Sequence, residues 1–153
     1  MSLDYQYVSN KLEQWLQTKI EEAGARGAVV GISGGLDSAV TAVLCKRAFP
    51  GETLGVIMPC YSQVEDTEDG RLVADKFDIN YLVRDLGSVL DQLLETLEEK
   101  PPDREQMAVA NIKPRLRMTT LYYYAARNNY LVVGTDNWSE LKVGYFTKHG
   151  DGG

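Results

Sequence analysis

Histidine and cysteine are scarce in this chain of 153 residues. One histidine, His149, and two cysteines, Cys45 and Cys60, are present. A single histidine excludes a histidine-rich metal centre and leaves no Ser-His pair beside the glycine-rich loop described below. The spacing of the cysteines fits neither a zinc site nor a redox pair, so we expect two reduced thiols, as is usual in cytoplasmic proteins.

Long apolar runs and an excess of positive charge are also lacking. No run reaches the roughly 20 residues that a membrane-spanning helix needs. Residues 1–5 have neither the basic nor the apolar region of a signal peptide. Acidic residues outnumber basic ones by 22 to 16, which argues against a nucleic-acid-binding surface. The sequence therefore predicts a cytoplasmic protein that binds neither membranes nor nucleic acid.

The length and composition predict a single domain over residues 1–153. With 44% hydrophobic and 25% charged residues, the chain can form one core but is too short for two ordinary domains. We find no internal repeat and no low-complexity segment.

Apolar periodicity predicts alternating helices and strands. Helices are expected over residues 4–23, from 36, over 62–77, over 86–97 and from about 104 after a break at Pro101 and Pro102; strands are expected over 28–32, 54–58, 80–83 and 130–133. This order predicts an α/β fold, a three-layer open parallel sheet with helices on both faces and right-handed crossovers. Asn111 is expected to cap a further helix, with Pro114 in its first turn, where a missing N–H is tolerated.

A glycine-rich loop lies between the first strand and the following helix. Its sequence is Ser33-Gly34-Gly35-Leu36-Asp37-Ser38. Gly34 and Gly35 lack a Cβ, so the backbone can adopt positive φ and its N–H groups can approach a phosphate. Serine hydroxyls and the N-terminus of the helix add donors and positive potential. We interpret the loop as a polyphosphate site; the alternative is an ordinary Ser/Gly turn.

Asp37 is unexpected in an anion-binding loop, because its carboxylate would repel a phosphate unless a cation stood between them. A hard oxygen ligand beside phosphate oxygens suits Mg²⁺. The Walker loop differs, since it spaces its glycines more widely and follows the second with Lys and Ser or Thr.

These residues resemble the pyrophosphate loop of the N-type ATP pyrophosphatases, which cleave ATP between the α and β phosphates and usually adenylate a substrate oxygen. The resemblance implies an adenine nucleotide alpha hydrolase-like fold with ATP as a substrate. It also implies that ATP is contacted by the loop residues Gly31, Ile32, Ser33, Gly34, Gly35, Leu36, Asp37 and Ser38.

Three further segments, residues 111–118, 133–140 and 144–153, resemble ammonia-dependent NAD synthetase. The resemblance implies a ligase that amidates deamido-NAD to NAD with ATP and free ammonia, releasing AMP and pyrophosphate through an adenylated carboxylate. It also implies a homodimer.

The resemblance assigns individual roles. Asp37 and Glu140 would be Mg²⁺ ligands, and Thr135 would contact ATP. Arg115 and Lys148 would contact deamido-NAD, and cations suit its pyrophosphate and carboxylate. No covalent nucleophile is required, so no residue is assigned as one.

Other residues receive less specific interpretations. Asp151 is a further site candidate because it lies in the glycine-rich segment 150–153, which could belong to a closing loop. Arg117 is interpreted as structural, on a basic helix face. The tyrosines at 122–124 are interpreted as packing residues, and His149 as a loop residue.

The family pattern extends beyond the Gly-Asp-Gly-Gly segment, so we expect the domain to be truncated at its C-terminus. Two alternatives remain open. One is another N-type ATP pyrophosphatase, such as the synthetase subunit of a nucleotide amidotransferase. The other is a nonenzymatic nucleotide-binding fragment.

Overall fold

The computed structural model describes residues 4–97 and 106–152. Within these residues helices and strands alternate in the order α1 (Tyr5–Glu22), β1 (Gly27–Gly31), α2 (Leu36–Ala48), β2 (Thr53–Ile57), α3 (Val64–Lys76), β3 (Asn80–Val83), α4 (Gly87–Thr96), α5 (Met107–Ala110), α6 (Ile112–Asn128), β4 (Tyr130–Val132) and α7 (Trp138–Val143). The break predicted at Pro101 and Pro102, the helix start near residue 104 and the final Gly153 lie outside the described residues.

The strands form one parallel sheet in the order β3-β2-β1-β4. In β1, Val30 is paired with Gly55 of β2, and Val29 is paired with Val132 of β4. The predicted open parallel sheet is therefore confirmed. Because all strands run in one direction, the loops after β1, β2 and β4 emerge at the same edge of the sheet.

Both faces of the sheet are covered by helices, as predicted. Side chains of β1 alternate between the faces, so Val29 packs in one core cluster and Val30 in another. The first cluster includes Leu90 of α4 and Leu121 of α6, whereas the second includes Ala42 of α2. No described helix is both long and apolar enough to cross a membrane.

The helix predicted at the N-terminus is confirmed as α1, and both of its ends have local causes. The Asp4 side chain accepts a hydrogen bond from the Tyr7 N–H at 3.1 Å, which caps the first turn. Just past the helix, Gly24 takes a φ of +69°, a conformation that glycine adopts without strain. Leu16 and Ile20 bury the second half of α1 against Cys45 of α2.

Two expectations for α6 need correction. Asn111 is at the N-cap position, but its side chain makes no capping bond; its Oδ1 accepts a hydrogen bond from Thr147 Oγ1 at 3.1 Å. Pro114 is nevertheless in the first turn, as predicted. Tyr122 and Tyr123 are 54% and 56% exposed, so of the tyrosine run only Tyr124 packs against the core.

Candidate functional site

The loop between β1 and α2 is closed by two serines. Ser38 Oγ accepts a hydrogen bond from the Ser33 N–H at 3.1 Å, lies 3.0 Å from Ser33 Oγ and donates to the Gly35 carbonyl at 3.0 Å. Gly34 has a φ of +88°, as its lack of a Cβ suggested. Gly35 does not share this conformation: its φ is −78° and it is the N-cap of α2.

Gly34 is also where helix α3 approaches the loop. A Cβ at Gly34 would lie 2.6 Å from the carbonyl oxygen of Asp66 and 3.2 Å from Cβ of Asp69. Such a contact leaves no room for any side chain at this position. The absence of a Cβ therefore lets the loop backbone pack directly on α3.

Two adjoining cavities open around the loop. The first, of about 160 Å³, is lined by Gly31, Ile32, Ser33, Ser38, Ile57, Met58, Pro59, Ser62, Asp66, Thr67, Arg117, Thr135 and Asp151. The second, of about 200 Å³, is lined by Ser33, Gly35, Leu36, Asp37, Ser38, Thr135, Asp136 and Glu140. They share Ser33, Ser38 and Thr135. Of the predicted ATP-contacting residues, all except Gly34 line one or both cavities.

The second cavity is acidic. Asp37, Asp136 and Glu140 line it, and none of them forms a salt bridge within the described part of the chain. Burial raises the pKa of Asp136, and the negative charge of Glu140 raises it further. Among the described residues, the carboxylates of this cavity thus have no salt-bridge partner.

Asn137 connects the two predicted Mg²⁺ ligands. Its Nδ2 donates to Asp37 Oδ2 at 3.3 Å, and its Oδ1 accepts from the Glu140 N–H at 3.0 Å. The Glu140 carboxylate in turn accepts from the Asn137 N–H at 3.0 Å, which completes a capping box at the start of α7.

The carboxylate oxygens in the second cavity are suitable ligands for Mg²⁺. Among residues 4–97 and 106–152, no three His, Cys, Asp or Glu side chains cluster closely enough to enclose a metal by themselves. Proteins usually hold Mg²⁺ with one or two carboxylates, and phosphate oxygens and water complete the coordination. Asp37 and Glu140, beside the glycine-rich loop, match that pattern.

Arg115 and Lys148 lie outside both cavities. Arg115 is exposed and donates from Nε and Nη2 to the backbone carbonyl of Lys148, at 3.3 and 3.2 Å. The structure therefore brings together the two residues predicted to contact deamido-NAD, although it does so through the backbone of Lys148.

Arg117, which the sequence suggested is structural, lines the first cavity. Its Nε donates to the Met58 carbonyl at 3.1 Å, and its Nη2 donates to Ser62 Oγ at 3.4 Å. A signal for this position exists in the sequence, because Arg117 precedes the buried Leu121 by one turn of α6 and so shares its face.

The glycine-rich segment after α7 folds onto the same edge. Its Gly150 is so close to α6 that a Cβ there would lie 3.0 Å from Cβ of Pro114, and Gly152 packs against the Asp136 carboxylate. Asp151, a candidate from the sequence, reaches the first cavity. Burial raises the pKa of Asp151, and the positive charge of Arg117 opposes that rise.

Comparison with known proteins gives a consistent result. The family model described as NAD synthase matches residues 8–153. The NH(3)-dependent NAD(+) synthetase of Carboxydothermus hydrogenoformans is 52% identical over 154 residues, covering 100% of this chain and 63% of that protein.

Two solved structures have a fold similar to that of this chain. The NH3-dependent NAD synthetase from Campylobacter jejuni superposes with a TM-score of 0.88 at 34% identity, covering 98% of this chain and 64% of that one. The NMN synthetase from Francisella tularensis gives a TM-score of 0.91 at 33% identity, covering 99% and 63%. The chain thus spans slightly less than two thirds of the length of these relatives.

Proposed function

Because the chain belongs to the NAD synthase family, we propose that it carries the nucleotide-binding part of an ammonia-dependent NAD synthetase. The reaction is the amidation of deamido-NAD with ATP and ammonia through an adenylated carboxylate, giving NAD, AMP and pyrophosphate. The observation that supports it most is the pair of adjoining cavities. The first has an apolar wall, formed by Ile32, Ile57, Met58 and Pro59, that suits a nucleoside, and the second has carboxylates that suit Mg²⁺.

In this proposal the loop binds the phosphates of ATP. Ser33, Ser38 and Thr135 lie at the junction of the cavities, and the N-terminus of α2, which begins at Leu36, adds positive potential beside it. The proposed ATP contacts are Gly31, Ile32, Ser33, Gly34, Gly35, Leu36, Asp37, Ser38 and Thr135.

Asp37 and Glu140 would hold Mg²⁺ in the second cavity. When bound, the ion supplies positive charge beside the phosphate oxygens, where negative charge grows as pyrophosphate leaves. Arg115 and Lys148 would contact deamido-NAD at the outer side of α6. The segment around Gly150 would help to exclude water, so that ammonia rather than water attacks the adenylate.

The similarity to an NMN synthetase supports a second acceptor. With a TM-score of 0.91 to the Francisella tularensis protein, the same site could amidate the mononucleotide acid that corresponds to NMN. The two acceptors share the reacting carboxylate and differ in the adenylyl half of deamido-NAD.

Assembly and location are part of the proposal. We expect a cytoplasmic homodimer, because the resemblance implies one and the exposed Tyr122 and Tyr123 of α6 offer apolar surface. Light scattering after size-exclusion chromatography tests this, and a strictly monomeric protein across the micromolar range would contradict it.

The test of the activity is product analysis. The chain is incubated with ATP, Mg²⁺, ammonium and either deamido-NAD or the mononucleotide acid, beside a reaction without acceptor. NAD or NMN appearing together with AMP supports the ligase and identifies the acceptor. Mg²⁺-dependent ATP binding without any amide product would instead support the nonenzymatic alternative for this chain.

Asp37→Ala is the matched variant for that test. Removal of its carboxylate is expected to abolish Mg²⁺-dependent ATP binding with little loss of stability, because the side chain is exposed. Asp75→Ala, an exposed acidic residue of α3, is the control. Equal ATP affinity in both variants would contradict the role of the loop.

A further inference from the structure

Arg117 is held in place by the core rather than by solvent. It lies one turn before Leu121 and two turns before Ala125, both buried, on the inner face of α6. The side chain is half-buried. Its bonds to the Met58 carbonyl and to Ser62 Oγ fix the guanidinium at the carboxyl end of β2.

The guanidinium retains unused donors. An arginine has five N–H donors in a rigid planar fork, and the hydrogen bonds in the described part of the chain use its Nε and one nitrogen of the fork, Nη2. Of the side chains lining either cavity in the described residues, Arg117 is the only cation. An arginine that is held in the wall of a cavity and retains N–H groups without a protein partner is suited to binding an anion.

The geometry of the two cavities identifies which anion this is. The wall of the first cavity formed by Ile57 and Met58 suits the nucleoside, and the cavity of Asp37 and Glu140 suits Mg²⁺ with the leaving pyrophosphate. The α-phosphate joins those two parts of ATP. We expect it near Ser33, Ser38 and Thr135, which line both cavities, and Arg117 lines the first of them.

We propose that Arg117 binds the α-phosphate of the nucleotide, an inference that rests on the function proposed above. When a carboxylate oxygen of the acceptor attacks the α-phosphorus, a new P–O bond forms. The bond to the bridging oxygen then breaks, and pyrophosphate leaves with its electron pair. The N–H donors of Arg117 contact the nonbridging oxygens of the α-phosphate, on which negative charge is concentrated.

Asp151 lines the same cavity, and the positive charge of Arg117 opposes the rise that burial causes in the pKa of Asp151. In the described residues no salt bridge joins the two side chains. The carboxylate of Asp151 therefore does not occupy the remaining donors of Arg117.

The test compares Arg117→Gln with the wild-type chain for binding of adenosine, AMP and Mg²⁺-ATP by calorimetry. Hydrogen bonds to a charged group contribute about 1.5–3 kcal/mol, so AMP and ATP should each bind about 10- to 100-fold more weakly. Adenosine, which has no phosphate, should bind equally to both proteins. Arg127→Gln, an exposed arginine on the same helix, is the control and should change none of the three affinities.

Each other pattern has a distinct meaning. Equal weakening of adenosine would make Arg117 a structural residue, and weakening of ATP without AMP would move its contact to the outer phosphates; both overturn the inference. Unchanged AMP and ATP binding overturns it as well. A wild-type chain that binds none of the three ligands contradicts the proposed function itself.

Arg117→Lys is a second variant that still tests the proposal if Arg117→Gln fails to fold. Lysine retains the positive charge but cannot reproduce the planar fork. We expect AMP affinity between those of the wild type and Arg117→Gln, with adenosine binding unchanged. Adenosine binding that falls with AMP binding in this folded variant would also contradict phosphate contact.

Discussion

Asn137 is the residue that joins the two halves of the acidic cavity. It bonds the Asp37 side chain, which follows β1, and the Glu140 backbone and carboxylate, which follow β4. Two carboxylates that approach each other repel, so a neutral amide between them fixes their separation at low electrostatic cost. A cation that binds both then meets oxygens that are already oriented.

Asn137→Ala should therefore lower the affinity for Mg²⁺ clearly, while it lowers the free energy of unfolding only slightly. Loss of an outer partner of metal ligands typically costs at least about 10-fold in metal affinity, whereas loss of an N-cap costs about 1 kcal/mol of stability. Titration of Mg²⁺ at fixed ATP, with thermal unfolding beside it, measures both. Asn10→Ala on the exposed face of α1 is the control. If the Mg²⁺ concentration at half-saturation is unchanged in Asn137→Ala, Asn137 does not orient the carboxylates for the ion.

Gly34→Ala tests the contact between the loop and α3. The added Cβ would meet the Asp66 carbonyl oxygen at 2.6 Å while the residue keeps a φ of +88°. The left-handed conformation alone costs about 1–2 kcal/mol for a non-glycine residue, and the steric contact must displace the loop. We expect lower stability in urea and loss of ATP binding.

Gly51→Ala provides the comparison for that prediction. Its Cβ would meet nothing within 4 Å, and its backbone φ is not positive. The substitution should leave stability unchanged or raise it slightly by restricting the unfolded chain. Similar behaviour of the two variants would show that the loop tolerates a side chain at Gly34.

At the level of elements, the strands were the easiest to predict. The third strand, Asn80–Val83, agrees with its predicted bounds, β1 and β2 each begin and end one residue earlier than predicted, and β4 ends one residue earlier. These are short β-branched or apolar runs ending near glycine, proline or polar residues, a pattern that depends on local chemistry alone. The loop and the segment after β4 were located by the same local signals.

The incorrect expectation for Asn111 concerns a side chain whose partner is distant in sequence. Asn111 has the composition of a helix cap, yet its side chain bonds Thr147, which becomes a neighbour only after α7 has folded back. Arg115 and Arg117 differ by two positions, and helical periodicity places only Arg117 on the face of Leu121. The packing of that face on the sheet then brings Arg117 to the cavity. Local sequence does not encode which distant segments will meet there.

Helix α4 illustrates how the core supports the site. Leu90 is fully buried against the sheet, whereas its neighbour Val89 is 47% exposed. Leu90→Ala should lower the free energy of unfolding by about 2–5 kcal/mol through lost burial and a cavity. Val89→Ala should change it by less than about 0.5 kcal/mol. Urea unfolding checks the pair, and equal effects would contradict the packing of α4.

For the whole molecule, the site is a product of the assembled sheet. Its first cavity is formed by residues that follow β1, β2 and β4 and by α6, segments that are far apart in the chain. No single segment can form this cavity by itself. We therefore expect the site and the core to be lost together when the protein unfolds.

The two cysteines make that expectation measurable. Cys45 and Cys60 are free and at most 1% exposed, and they lie in different core clusters. Burial raises the pKa of Cys45 to about 12 and also raises that of Cys60. The raised pKa values suppress ionisation of both thiols at pH 8 in the folded state. Because only the thiolate reacts, both cysteines should react slowly while the protein is folded.

Alkylation at pH 8 should then be slow and should proceed through unfolding. If the molecule unfolds as one unit, iodoacetamide modifies Cys45 and Cys60 at the same rate, and urea accelerates both equally; mass spectrometry of the peptides measures each rate. Faster modification of Cys60 would show that the connection between β2 and α3 opens locally. In that case the wall of the first cavity that holds Arg117 would move independently of the sheet, and cooperative loss of site and core would be contradicted.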